Sequence, residues 1–253
     1  AEIAKEELLQ VNPDSKIKTP SLDALAQEGA YFIDGHSPST ICTPTRYALL
    51  TGRYAWRGKL KSGVLKPWES SLIEKDRLTI PKMLKEKGYQ TACIGKWHLG
   101  FEWPWKGGVK PPLDSILTKG TSLVTVDMFD FSKPIKGGPW AAGFDYYFGD
   151  DVPNFPPYAF IENGYFTSKP IDTNPDNLKS LGTRGYLHGV GPGQKGWKLE
   201  QVMPTITSKA EDYILKQKKS ESPFFLYFAT TSPHTPIVPT KEFQGTSDAG
   251  YYG

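Results

Sequence analysis

Three times along this chain a helix-length run with one apolar stripe ends at a glycine or a polar turn and passes at once into a short apolar run. The first is Thr19 to Gly29. Thr19 is its cap, Pro20 takes the first helical position, Leu22, Leu25 and Ala26 form the stripe, and Gly29 stops it. Ala30-Tyr31-Phe32-Ile33 follows and reads as a strand. The second runs from Leu78 to Lys87, stops at Gly88 and leads into a buried strand over Tyr89 to Ile94. The third, Pro204 to Lys219, has Ile206, Ala210, Tyr213 and Ile214 as its apolar positions and leads into the strand Phe224-Phe225-Leu226-Tyr227-Phe228-Ala229. Helix followed by strand, repeated, predicts an α/β fold with a mostly parallel central sheet, since parallel neighbours need a crossover connection between them. Residues 101–196 break the pattern. They are rich in Gly, Pro and aromatics with weak periodicity, and predict long loops and small strands over one end of the sheet.

The 253 residues suit one large domain or a piece of one, with no internal repeat and no dividing linker. A formal net charge of +3 gives no argument for nucleic acid, and no block of Lys and Arg forms a nucleic-acid or membrane surface. The nearest candidate, Lys216-Gln217-Lys218-Lys219, ends a helical run, where cations complement the dipole. No apolar run is long enough to span a bilayer, and the opening Ala1-Glu2-Ile3-Ala4-Lys5 does not read as a signal peptide. Two cysteines, Cys42 and Cys93, make no disulfide framework.

In open α/β sheets ligands bind outside the carboxyl ends of the strands. Three unusual segments fall at such ends. The first predicted strand leads to His36-Ser37-Pro38-Ser39-Thr40-Ile41-Cys42, the second to Gly95-Lys96-Trp97-His98, and the third to Thr230-Thr231-Ser232-Pro233-His234. The first continues to Gly52, and Pro44 and Gly52 bracket a short helix with Cys42 at its N-terminus, where free N–H groups and the dipole favour an anion. Arg46 lies one turn on and can point back to the same place. Most buried cysteines are small hydrophobes, which suits Cys93 inside its strand; Cys42 sits instead in a polar, Pro-bracketed turn. Taken singly, a Lys after a strand is usually solvated and a His in a Pro-rich loop usually caps backbone groups. His36 and His188 read as loop residues, His36 near the site.

Cys42-x-Pro44-x-Arg46, continuing to Leu50-Thr51-Gly52-Arg53, resembles the signature of the type I, formylglycine-dependent sulfatases. Gly88-Tyr89-Gln90-Thr91-Ala92-Cys93-Ile94-Gly95-Lys96-Trp97-His98 resembles that family's second signature, and Ser232-Pro233-His234-Thr235-Pro236 a third recurrent element. The likeness runs from about Thr19 to Gly253. It implies an alkaline-phosphatase-like sandwich and hydrolysis of sulfate esters of the arylsulfatase type, on a sulfated carbohydrate or an aryl sulfate. It implies that a formylglycine-generating enzyme oxidises Cys42, whose hydrated aldehyde attacks sulfur and then expels sulfate. By the same resemblance Arg46 holds the formylglycine, Lys96 clamps sulfate oxygens, His98 steers or deprotonates the gem-diol and His234 protonates the leaving oxygen. It further implies a divalent cation, calcium by preference, bound in part by the modified Cys42, and export from the cytoplasm.

The chain departs from the resembled pattern at both ends. No apolar strand ending in paired aspartates precedes Thr19, and the Asp-Asn pair and second lysine expected after the Ser-Pro-His element do not appear before Gly253. Residues 1–253 therefore read as a partial catalytic domain, incomplete at both termini and expected to be inactive alone. Asp150 and Asp151 are adjacent but lie in the loop-rich middle and read as a turn cap, so no metal ligand beyond Cys42 is assigned. Trp56, Trp68, Trp97, Trp103, Trp105 and Trp140 are either stacking surfaces for sugar or loop packing, and Asn154 is a candidate to face substrate. Two other functions stay open: a phosphatase or phosphodiesterase of the same superfamily, which would use Ser or Thr in place of Cys42, and a catalytically dead remnant that only binds glycans.

Overall fold

The computed structural model of the chain describes residues 16–118, 121–173 and 189–250. His188 lies outside them. The first helix, α1 (Pro20–Glu28), is where the sequence places it, but Thr19 donates its hydroxyl to Asp23 Oδ1 (2.9 Å) instead of capping a backbone N–H. The apolar stripe of α1 faces solvent, with Leu22 64 % and Leu25 66 % exposed. Residues Ala30 to Ile33, expected to be a strand, are irregular, and Phe32 and Ile33 are exposed. No described strand lies beside them to complete a ladder, and an extended run without a partner has no reason to persist.

Next comes α2 (Cys42–Thr51), closed by Gly52 in the left-handed region (φ 65°), whose N–H bonds Ala48 O. Helix α3 (Ile80–Lys85) begins at Thr79, whose hydroxyl accepts from Lys82 N, and the chain turns at Gly88 (φ 82°) into β1 (Gln90–Gly95). The loop-rich middle contributes β2 (Tyr146–Gly149), β3 (Ile161–Glu162) and β4 (Tyr165–Phe166). Then follow α4 (Val202–Gln217) and β5 (Phe224–Ala229). The main sheet has the order β5-β1-β2-β3-β4. Strand β1 is parallel to both β5 and β2, with Ala92 opposite Leu226 and Tyr146; β2–β3 and β3–β4 are antiparallel. The sheet is thus mixed, and the expectation of a mostly parallel one holds only for β5, β1 and β2.

Period-two alternation decides which face each residue serves. Cys93, Tyr147, Phe225 and Tyr227 pack towards Tyr47 and Leu50 of α2, while Ile94, Phe148 and Leu226 pack towards Val202, Ile206 and Ala210 of α4. Ile206 and Ala210 are buried as the pattern predicts; Ile214 is 46 % exposed. Strand β2 was hidden in the sequence because Tyr146-Tyr147-Phe148-Gly149 is only four residues long and follows a helix-like turn of four, Gly138–Ala141. Elsewhere the middle region forms short antiparallel pairs, as expected. Its aromatics settle the tryptophans. Trp68, Trp97, Trp103 and Trp105 are buried, with Trp68 5.0 Å from Trp103 and 5.3 Å from Phe129 between ring centroids. Trp140 packs on Phe101 and Tyr147. Only Trp56 stands in solvent, stacked on Tyr54.

Candidate active site

Because β1, β2 and β5 are parallel, their carboxyl ends meet at one edge of the sheet. Strand β1 runs out into Lys96-Trp97-His98, β2 into Asp150-Asp151 and β5 into the loop that carries His234. The ends are held tightly: Lys96 N donates to Ala229 O and Trp97 N to Asp150 O, each at 2.9 Å. Two glycines allow this approach. A Cβ on Gly95 would lie 2.1 Å from Ala229 O, and one on Gly149 would lie 1.9 Å from Gly95 O. Cys42 arrives from the side as the first residue of α2, not from the end of the strand expected before it.

Cys42 Sγ lies 3.0 Å from His98 Nδ1. The other ring nitrogen, Nε2, lies 3.0 Å from Leu65 O, which can only accept. Nε2 therefore carries the proton and Nδ1 turns its lone pair to the sulfur. Burial, with the Lys96 charge beside it, pushes the His98 imidazole down to about 3, so it is neutral. The residue is in the left-handed region (φ 50°). Its N–H donates to Asp151 Oδ1 (3.1 Å) and its carbonyl accepts from Thr43 Oγ1 (3.0 Å).

Arg46, one turn into α2, donates through Nη1 to Lys96 O (2.7 Å) and reaches Tyr227 OH on β5 (3.4 Å). It lines an open pocket with Cys42, Ser37, Ser39, Thr45 and Tyr227. Lys96 is 1 % exposed, and its Nζ has no hydrogen-bond partner among the described residues. Burial lowers its pKa, against the raising effect of Cys42, Asp150 and Asp151. Such a buried, unpartnered ammonium is the kind of group that an entering anion would complete. His234 sits apart, exposed, its Nδ1 against Thr235 O, with partial burial and then Lys96 lowering its pKa. It follows β5, whose carboxyl end lies beside that of β1, and so falls at the same end of the sheet as Lys96.

All five residues picked from the sequence thus lie at one end of the sheet. His36 does not join them: it is exposed and pairs with Asp34 at 2.7 Å. Asp150 and Asp151 correct the sequence reading. They are not a turn cap in a loop but the buried carboxyl end of β2, 1 % and 8 % exposed, and burial raises both carboxyls despite the Lys96 charge. The signal that could have found them was the alternation Tyr147, Phe148 running into a glycine, as Ile94 runs into Gly95. Asn154 is buried, and its Oδ1 has no hydrogen-bond partner among the described residues. Among the described residues no group of three or more His, Cys, Asp or Glu side chains is placed to hold a metal ion. The residues described do not supply the several oxygens a calcium ion needs.

The sequence matches the Sulfatase family over residues 2–252. The chain belongs to the sulfatase family. A Bacteroides thetaiotaomicron N-acetylgalactosamine-6-O-sulfatase is 32 % identical over 94 % of this sulfatase chain and 48 % of its own length. The mouse N-acetylgalactosamine-6-sulfatase is 28 % identical over 97 % of this chain and 41 % of its own. A solved Bacteroides thetaiotaomicron sulfatase, described with the metabolism of multiple glycosaminoglycans, superimposes with a TM-score of 0.69 at 29 % identity, over 91 % of this chain and 49 % of that one. The Ps i-CgsB structure in complex with a neocarrahexaose, at 22 % identity and a TM-score of 0.54, shares the fold. The sulfatase chain described here spans about half or less of the length of these relatives. Its architecture is the alkaline-phosphatase-like α/β fold of the family.

Proposed function

We propose that this chain carries the nucleophile side of a sulfatase active site, and that the protein it represents hydrolyses sulfate esters of a carbohydrate through a formylglycine made from Cys42. The observation that carries the reading is the pairing of Cys42 Sγ with the lone-pair nitrogen of His98, at a helix N-terminus and beside the buried Lys96 and the half-buried Arg46. A thiol gains little from that setting, whereas a hydrated aldehyde at the same position offers a hydroxyl whose proton Nδ1 can take. The hydroxyl oxygen then attacks sulfur, and the S–O bond to the sugar breaks. Among the described residues Lys96 has no partner to surrender, and it meets the sulfate charge with its ammonium. Arg46, anchored on Lys96 O, keeps the head of α2 against the strand ends.

His234 is assigned the proton for the departing alkoxide. Its Nδ1–H is engaged by Thr235 O, so the proton given up must come from Nε2 of the imidazolium. Partial burial, and after it the neighbouring cations, hold that form back, and the negative charge of a bound sulfate ester favours it. Calcium is assigned by family likeness alone. The N-acetylgalactosamine-6-sulfatases of Bacteroides thetaiotaomicron and mouse support a sulfated amino sugar as the substrate class. Maturation by a formylglycine-generating enzyme and export are parts of the same proposal, as is the reading of residues 1–253 as a portion of the catalytic domain.

The test is coexpression of the protein, with its natural flanking sequence, and a formylglycine-generating enzyme. The Cys42 peptide is expected to carry an aldehyde that reacts with a hydrazide probe, and Cys42→Ala to abolish sulfate release from a sulfated amino sugar. Full turnover in Cys42→Ala would refute the mechanism.

A further inference from the structure

We infer that Asp151 is the positioning residue of this site: its buried carboxylate holds His98 in the backbone conformation that aims Nδ1 at Cys42. The inference deepens the reading above and rests on it only for the reaction that the Cys42–His98 pair serves.

A histidine at φ 50° is in a region that L side chains seldom occupy, and it stays there only if its surroundings fix it. Three bonds do so here. Leu65 O holds the far side of the ring and Thr43 Oγ1 holds the carbonyl, both from the side of α2 and the loop after it. Asp151 Oδ1 is the one partner from the sheet, and it takes the N–H, the group whose direction sets φ. The parallel register makes this possible. Ile94 pairs with Phe148, so the residues that leave β1 and β2 leave side by side. The carboxylate cannot drift, because the neighbouring Asp150 O accepts from both Trp97 N and Tyr147 OH at 2.9 Å.

Burying a carboxylate for one backbone hydrogen bond is costly unless the charge is answered. Lys96, between Trp97 and the strand, answers it: it is the charge that most opposes the upward push of burial on Asp151. Asp151 thus links the two working groups on β1. It fixes the direction of His98 by a hydrogen bond and lies in the field of Lys96. Asp150, whose carboxyl oxygens have no hydrogen-bond partner among the described residues, makes no such bond to His98 and serves as the comparison.

The experiment uses the chain with Cys42 left as a thiol, so that it reads the pair directly. Alkylation of Cys42 by iodoacetamide is followed by peptide mass spectrometry, with the fully buried Cys93 as a built-in monitor of unfolding. Asp151→Ala is expected to change the rate of Cys42 alkylation by roughly tenfold or more, since the ring lone pair no longer holds the thiol proton, with Cys93 still protected. Asp151→Asn keeps an acceptor oxygen and is expected to restore the rate to within about twofold. An Asp151→Ala rate equal to that of the parent, or an Asp151→Asn rate as far from the parent's as that of Asp151→Ala, overturns the proposal. Should Asp151→Ala also expose Cys93, amide exchange in the unsubstituted chain decides. A His98 N–H as protected as those of Ala92 and Ile94 supports the bond, and exchange at the rate of an open loop overturns it. Absence of sulfate turnover in the protein that carries formylglycine at Cys42 would count against the proposed reaction and leave this inference standing.

Discussion

Replacing Gly149 by alanine tests whether the site depends on how closely the strand ends meet. The backbone at Gly149 is outside the left-handed region, so alanine carries no conformational penalty there, and the whole effect is steric. The new Cβ would lie 1.9 Å from Gly95 O, about 1.5 Å short of ordinary contact, and the obstacle is backbone that cannot swing aside. The ends of β1 and β2 must part by about that amount. The bonds at stake are Trp97 N to Asp150 O and His98 N to Asp151 Oδ1, at 2.9 and 3.1 Å, and neither survives such a displacement. Each buried group left unpaired costs about 1–3 kcal/mol, so the substitution is expected to destabilise by about 3–5 kcal/mol. Gly63→Ala is the control. Nothing lies within 4 Å of its added carbon, but φ is 69°, so it should cost only about 1–2 kcal/mol. Urea unfolding at constant m-value gives both numbers. A loss below about 1 kcal/mol for Gly149→Ala, or one no larger than for Gly63→Ala, would refute the claim that backbone contact between the strand ends governs this region.

In the matured enzyme, His234→Ala should slow hydrolysis of a sugar sulfate far more than that of an activated aryl sulfate, because only a poor leaving group needs the proton. Lys96→Ala should slow both alike, and steady-state rates on the two substrates distinguish the roles. Cys93→Ala should cost about 1–2 kcal/mol in urea unfolding with no loss of formylglycine at Cys42, since its thiol is wholly enclosed and burial pushes its pKa up. Asp145 is raised by burial, but its bonds to Lys85 and Thr91 outweigh this and its pKa is lowered in the fold. Its stabilisation is therefore present above the unfolded carboxyl value and lost as pH falls through the lower folded one. Asp145→Asn should cost about 1 kcal/mol at pH 7 and nothing at about pH 2, by urea midpoints at both. Titration of this chain with calcium should show no stoichiometric binding in calorimetry, because its described residues lack the oxygen cage; one tight equivalent would refute that reading.

The parts of the fold that the sequence made legible are those where local pattern and tertiary demand coincide. Phe224 to Ala229 is a strand by β-propensity and by its place in the sheet, and α4 buries the Ile206 and Ala210 its spacing selects. Where the two part company, pattern misled. The stripe on α1 is amphipathic, yet no described neighbour covers it, and Ala30 to Ile33 has strand composition without a ladder to join. Strand β2 failed in the opposite way: four residues between turns carry little periodicity, and only pairing with β1 makes them a strand. The site followed the same logic. Cys42, Arg46, Lys96 and His98 sit in contiguous motifs, which is why the sequence singles them out as the candidate site. Asp151 works through a parallel register that no single stretch of sequence displays.

Strand β5 has one further consequence. It pairs with β1 on one side only, and among the described residues nothing takes up the other. Phe224 and Phe228 are more than a third exposed, and the run from Phe224 to Ala229 contains no charge to repel a second copy; only Pro223 guards its start. An uncharged, aromatic outer strand is a template for intermolecular ladders, and self-association of this chain should begin there, rise with concentration and yield to a lysine placed at Phe228. Because that strand also leads to the His234 loop, such stacking would crowd the rim of the proposed site, and one edge would then bear on both solubility and access.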